Sequence, residues 1–319
     1  MQASQAFRSG DVRAPERPGQ RLSLTAAVAA DSALAFMQDA PPSRVLHVFR
    51  EVCNLTDSKG NILTLCLDPR QMTSFSIALE HPWWLDDLLH YLDADSPLAI
   101  APGRIELGPL EIVVASPARW SSRPDWPSIR SRISHSKHRL DEIGAILRSQ
   151  TDPESLAAVH SALTCRQDQC AGHWWETALE AVQALLRGLR SLDPDQLRLG
   201  ASRLAGLGPG LTPSGDDFLI GSMHAIWSYK KPGEAHALCS HISEAATPRT
   251  NVFSAAHLRA AARGEAAAQW QNLLTLLSEP ALHGLVPATK ALLAQGHTSG
   301  QDALSGFLLG TGQLASQTP

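Results

Sequence analysis

The stretch from Gly206 to Gly221, Gly-Leu-Gly-Pro-Gly-Leu-Thr-Pro-Ser-Gly-Asp-Asp-Phe-Leu-Ile-Gly, constrains the fold more than any other part of the chain. Glycines at 206, 208 and 210, with prolines at 209 and 213, cannot continue a helix, so a shaped loop is required here. Thr212-Pro213-Ser214 then has the chemistry of a helix start. Either Thr212 caps with Pro213 as the first helical residue, or Ser214 caps with Asp217 at the capping-box position. Phe218, Leu219, Ile220, Met223, Ile226 and Trp227 supply an apolar face, which predicts a helix to about Tyr229 that stops before Pro232. Backbone N–H groups at a positive helix end, beside glycines that admit a ligand to the main chain, make an anion site of the kind used for phosphate or carboxylate. The stretch lacks the Gly-Lys-Ser/Thr ending of a Walker loop and the spacing of a dinucleotide fingerprint. Asp216 and Asp217 at its mouth imply a bridging cation, a proton-transfer role or a substrate with N–H donors.

A second copy lies near the C-terminus. Ser299-Gly300-Gln301-Asp302-Ala303-Leu304-Ser305-Gly306 repeats Ser214 to Gly221 in the pattern Ser-Gly-x-Asp-x-Leu-x-Gly, with five of eight positions identical. Each copy reads as a helix with Ser at its start, Asp in its first turn and a glycine further on where another element packs closely. Two such helices converging N-terminus to N-terminus would set Asp217 and Asp302 on opposite walls of one cleft.

The 319 residues suffice for two domains or one large one. With 27 basic against 31 acidic residues and no basic block, a nucleic-acid partner is not expected. Five cysteines, Cys53, Cys66, Cys165, Cys170 and Cys239, without a Cys-x-x-Cys pair, indicate neither a disulfide framework nor a zinc knuckle and fit a reducing cytoplasm. No signal peptide or membrane span is expected, because the run Leu22 to Met37 is broken by Asp31.

The reading along the chain is α+β, a small antiparallel β-rich domain followed by a mostly helical one. Residues 1–20 read as a flexible tail. Residues 21–120 form the β-rich domain: Ser23 to Met37 is Ala-rich and helix-compatible, and Val45–Phe49, Ile62–Leu67, Ser74–Leu79, Leu98–Ile100 and Arg104–Val114 are β-prone. Asp57 to Asn61 and Ala101-Pro102-Gly103 are turns. His81-Pro82-Trp83-Trp84 is an aromatic spot explained by core packing. Residues 121–319 form the helical domain, with helices predicted over Ile129–Arg148, Pro153–Leu163, His173–Leu192, Pro194–Leu204, the glycine-loop helix, Glu234–Ala245, Phe253–Ala262, Glu265–Leu277, Ala288–Ala294 and Ser299–Leu309.

Arg249-Thr250-Asn251 presents one guanidinium and two polar side chains, and Arg249 is a fork for carboxylate or phosphate. His297, two residues before Ser299, is a candidate acid/base or anion ligand. His135 and His138 stand at helical spacing without a third metal ligand, and Cys165 and Cys170 flank Arg166 and Asp168 in a polar turn. No Gly-x-Ser-x-Gly elbow supports Ser214 as a nucleophile.

At Gly206–Gly221 the chain resembles the bacterial family of the AllH-type subunit of oxamate carbamoyltransferase. The resemblance extends to Val48–Leu55, Arg249-Thr250, Ala260–Glu265 and His297–Asp302; Asn251 stands where that family commonly has threonine or serine. It implies carbamoyl transfer between phosphate and the oxamate nitrogen, as in anaerobic allantoin breakdown, with companion subunits of the FdrA type. The candidate residues rest on the chemistry above: Asp216, Asp217, Asp302 and His297 as catalytic groups, and Gly208, Gly210, Thr212, Ser214, Gly215, Arg249, Thr250, Thr298, Ser299 and Gly300 as binding groups for a small anion such as carbamoyl phosphate or oxamate. Three readings stand: a carbamoyltransferase subunit, a non-catalytic anion-binding scaffold, and a hydrolase or ligase in which Asp216, Asp217 and Asp302 hold Mg²⁺. No other cofactor is implied.

Overall fold

The computed structural model describes residues 21–39, 41–81, 85, 87–165, 173–279 and 283–316. The expected tail, Pro82, Trp83, Trp84, Arg166, Asp168 and Cys170 lie outside them. The chain divides into two compact units, Met1–Trp120 and Ser121–Pro319, and its class is α+β.

The described part of the first unit holds one sheet of nine strands and one α-helix. In chain order these are β1 (Leu22–Ala30), α1 (Asp31–Asp39), β2 (Arg44–Val48), β3 (Val52–Thr56), β4 (Ile62–Cys66), β5 (Ser76–Glu80), β6 (Leu98–Ala101), β7 (Arg104–Leu107), β8 (Leu110–Val113) and β9 (Ala118–Trp120). The order across the sheet is β2-β3-β4-β5-β1-β8-β7-β6, with β9 also on β1. Most neighbours are antiparallel, but β1 runs parallel to β8 and β9, and β4 parallel to β5.

The Ala-rich run expected to be helical is instead a strand up to Ala30, with the helix beginning at Asp31. Burial alternates from Leu22 to Ala26, and β1 is paired on both edges. Hydrogen-bond ladders on both edges, with a bulge between Ala26 and Val28, outweigh alanine's weak helix preference here. β3 is a strand the β-prone runs did not reveal; it pairs with β4 residue for residue. The turn joining them is held by Asp57, whose carboxylate accepts from the Lys59 and Asn61 amides at 2.9 and 2.8 Å. The expected strand Arg104–Val114 is two, folded back at Gly108, whose φ of +54° only glycine adopts easily.

The second unit is helical: α2 (Trp126–Ile133), α3 (Lys137–Ser149), α4 (Ala157–Cys165), α5 (His173–Ser191), α6 (Pro194–Leu204), α7 (Ser214–Tyr229), α8 (Pro232–Ala246), α9 (Val252–Ala262), α10 (Ala268–Ser278), α11 (Leu285–Leu293) and α12 (Ser299–Ala315). The helix expected over Ile129–Arg148 is broken into α2 and α3. Ser136 leaves the helical path, its hydroxyl donating to the Arg132 and Leu277 carbonyls, and His135 falls in the turn, off the helix that carries His138. Among the described residues no helix is long and apolar enough to cross a membrane.

At the centre of this unit α7 is buried along its whole length except at Ile220 and Tyr229. It packs backbone to backbone on α12. A Cβ placed on Gly221 would collide with the Ala303 carbonyl, and one on Gly306 with the Phe218 carbonyl. Phe218 and Phe307, both fully buried, fill the space beside these contacts.

Candidate functional site

The two Ser-Gly-x-Asp segments are the first turns of α7 and α12. The hydroxyl caps expected at these starts are not made. Pro213 and Thr298 occupy the capping positions without a side-chain bond to the helix, and Ser214 and Ser299 are already helical. The physical reason is that the two serine hydroxyls serve the opposite helix. Thr212 Oγ1 and Ser299 Oγ lie 2.8 Å apart, and both stand against Asp217, while the Ser214 and Thr298 hydroxyls stand against Asp302. The arrangement is reciprocal: each copy's aspartate meets the other copy's first serine.

The likeness of the copies reaches back before the serines. Gly215 lies on the Leu204 carbonyl and Gly300 on the Leu292 carbonyl, each too close for any side chain. The Gly215 amide donates to Leu207 O at 2.9 Å, and the Gly300 amide to Gln295 O at 3.2 Å. Gly208 and Gly296, both at positive φ, pack against Ser214 and Ser299. Helix, glycine turn and helix thus occur twice, as α6 to α7 and α11 to α12. The first turn is longer by the length of Pro209-Gly210-Leu211.

These contacts give the loop glycines a role in the protein's own packing. Gly206, at φ +72°, lies where a Cβ would come within 2.6 Å of the Arg249 carbonyl oxygen, and Gly208 where it would come within 2.9 Å of the Ser214 Cβ. Gly210 is exposed. The Gly215 and Gly300 amides, proposed from sequence for an anion, are each donated to a carbonyl of the chain itself.

Asp216 faces the loop rather than the other two aspartates. It accepts from the Gly206 amide at 3.0 Å, from Ser254 Oγ at 2.7 Å and from the Thr250 hydroxyl. Asn251 completes this clasp: its amide donates to Leu211 O at 2.8 Å while its oxygen caps α9 through the Ser254 N–H. Burial pushes the Asp216 carboxyl up, against the pull of these three donors. Thr250 therefore supports Asp216 and the loop. At the equivalent position of the second copy, Gln301 Oε1 accepts the Asp152 amide at 2.8 Å.

Asp217 and Asp302 form the pair. Asp302 is fully buried and Asp217 is 7% exposed. Burial, then the neighbouring Asp302 charge, raises Asp217 well above the ordinary carboxylate range. Burial also raises Asp302, opposed by Ser155, Ser214, the Leu156 amide and Thr298. Asp302 Oδ1 accepts from Ser155 Oγ at 2.7 Å and from the Leu156 amide at 2.6 Å. By contrast Asp217 Oδ2 and Asp302 Oδ2 are buried with no hydrogen-bond partner, and Ser214 Oγ, which stands close enough to Asp302 to pull its carboxyl down, completes no well-formed hydrogen bond. The two open carboxyl oxygens at one place mark a position where a polar ligand is wanted, because each costs about 1–3 kcal/mol unsatisfied.

Not every candidate joins this pair. Arg249 is exposed, and no guanidinium is among the groups that act most strongly on either carboxyl. His297 is exposed on the second loop. Among the described residues no three His, Cys, Asp or Glu side chains are grouped to hold a metal, since Asp216 is turned into the loop. Ser155, Leu156 and Ser254 escaped the sequence reading; Asp152-Pro153-Glu154-Ser155 looks like any polar helix approach. The mismatch of Asp216 with Gln301 in the repeat is the one sign that the copies brace different segments.

Residues 204–311 match the family model described as oxamate carbamoyltransferase subunit AllH. The matched stretch runs from the end of α6 into the last turns of α12, so it contains both helix starts, the Asp216 clasp and the carboxyl pair. It leaves out Ser155 and the whole first unit. No solved structure matches the chain.

Proposed function

We propose that this chain is a carbamoyltransferase subunit that binds a small carboxamide substrate, oxamate or carbamoyl phosphate, at the paired starts of α7 and α12. The observation that carries this reading is the pair of buried, unpartnered carboxyl oxygens on Asp217 and Asp302, inside the stretch that matches the AllH model. Transfer of a carbamoyl group to an amide nitrogen forms a C–N bond, breaks the C–O bond to phosphate and releases one N–H proton. A carboxylate beside the nitrogen takes that proton, and a protonated carboxyl beside the carbonyl oxygen stabilises the charge that develops there. The positive ends of two long helices favour the anionic part of either substrate.

The word subunit in the family description supports work in a complex, and companions of the FdrA type in the cytoplasm are part of the proposal. A second reading, a non-catalytic anion-binding subunit, draws on the exposed positions of Arg249 and His297. A Mg²⁺-dependent reading would rest on Asp217 and Asp302 with substrate oxygens, Asp216 being otherwise engaged. Carbamoyl transfer measured for the chain alone and with companion subunits, with and without chelator, separates the three. Transfer that needs this chain and disappears in Asp302→Asn, which lacks the proton-accepting carboxylate, supports the first; full transfer in that variant overturns it.

A further inference from the structure

The two copies are alike in backbone but not in what their aspartates are given. Asp302 Oδ1 receives a hydroxyl and a backbone amide, Ser155 Oγ at 2.7 Å and Leu156 N at 2.6 Å. An amide only donates, so this oxygen is held as an acceptor, which favours the ionised form. Asp217 has no such bracket: the hydroxyls beside it, Thr212 and Ser299, also bond each other at 2.8 Å. Two buried carboxyls this close do not both ionise. Their Oδ2 atoms are both unpartnered, and Ser214 Oγ, at 1% exposure, stands beside Asp302.

We propose that the pair holds one proton, carried by Asp217, that Ser155 and the Leu156 amide keep Asp302 as the carboxylate, and that the two open Oδ2 atoms take the edge of a primary carboxamide. The amide N–H donates to Asp302 Oδ2, and the amide oxygen accepts from the proton on Asp217 Oδ2. This edge is shared by oxamate and by a carbamoyl group, and a carboxylate in its place meets Asp302 with like charge. Ser155 is a positioning residue: it acts on the substrate through Asp302. The assignment deepens the carboxamide-binding reading above and rests on it for the ligand, while the proton assignment stands on the protein alone.

Infrared difference spectroscopy of the full chain at pH 7, without ligand, tests the proton. The expected result is a protonated-carboxyl band that is absent from Asp217→Asn and present in Asp302→Asn. In the Asp217→Asn background, where Asp302 titrates alone, Ser155→Ala raises the pH at which Asp302 loses its proton, and Ser155→Thr returns it. No such band in the wild type, a band lost only in Asp302→Asn, or an Asp302 midpoint that Ser155→Ala leaves unchanged in the Asp217→Asn background overturns the assignment. Calorimetry with oxamate and its isostere oxalate tests the ligand class: oxamate is expected to bind at least about tenfold tighter, and equal or reversed affinities overturn it. An intact band and an intact oxamate preference in a complex that transfers no carbamoyl group uphold this inference and count against the transferase reading alone.

Discussion

Gly221 of α7 and Gly306 of α12 stand at equivalent positions of the two copies, and each makes the same contact with the other helix. Gly221 lies on the Ala303 carbonyl and Gly306 on the Phe218 carbonyl, themselves equivalent positions. This exchange sets the helices close enough to pair Asp217 with Asp302 in their first turns.

Gly221→Ala or Gly306→Ala therefore forces apart two main chains rather than two side chains. A loss of about 3 kcal/mol or more in urea unfolding is expected from either, since backbone cannot repack as a side chain does. Gly312, in the same helix α12, has open space where a Cβ would stand. Gly312→Ala is expected to stabilise by about 0.5–1 kcal/mol, so the pair of measurements separates packing from helix propensity.

Asp216→Asn weakens the bonds to the Gly206 amide, Thr250 and Ser254 together. A destabilisation of about 2 kcal/mol is expected. Hydrogen exchange is expected to speed up at residues 206–211 and at the start of α9, and to remain unchanged in α12.

The raised carboxyls give stability a definite slope with pH. Above the unfolded aspartate value of about 4 the native state holds a proton that the unfolded chain has lost. Stability therefore falls as pH rises, until the raised native pKa of the pair is passed. Asp217→Asn removes the burial cost of that ionisation, so chemical unfolding is expected to show a variant more stable than wild type at pH 8 and closest to it near pH 4.

Buried histidines act in the opposite direction. His224, packed edge-on against Trp270, is held down to about 3, and His160 to about 4, both chiefly by burial. Each must charge to unfold in acid, so stability falls as pH drops from about 6.5 towards these values, by up to about 1.4 kcal/mol per pH unit per histidine. His224→Gln is expected to flatten the acid limb of a pH–stability curve and leave the alkaline limb unchanged.

The sequence showed the helical half, the glycine loop and the repeat of Ser-Gly-x-Asp, because glycine, proline and 3.6-residue periodicity are local signals. It misassigned Leu22–Ala30, where a strand paired on both edges prevails over alanine's helix preference, and it joined α2 to α3 across Ser136. The capping hydroxyls were placed on their own helices. Thr212, Ser214 and Ser299 turn instead to the opposite copy, a choice made by the close packing of Gly221 and Gly306. Ser155 lies 147 residues from Asp302 in sequence, and no local pattern marks such a partner.

The central claim is that a small carboxamide binds between Asp217 and Asp302, and calorimetry of oxamate with wild type and Asp217→Ala tests it most directly. Measurable binding is expected for wild type, weakened at least about tenfold in the folded Asp217→Ala variant, whose methyl group has no hydrogen to donate to the amide oxygen. Equal affinity in the two proteins would contradict it.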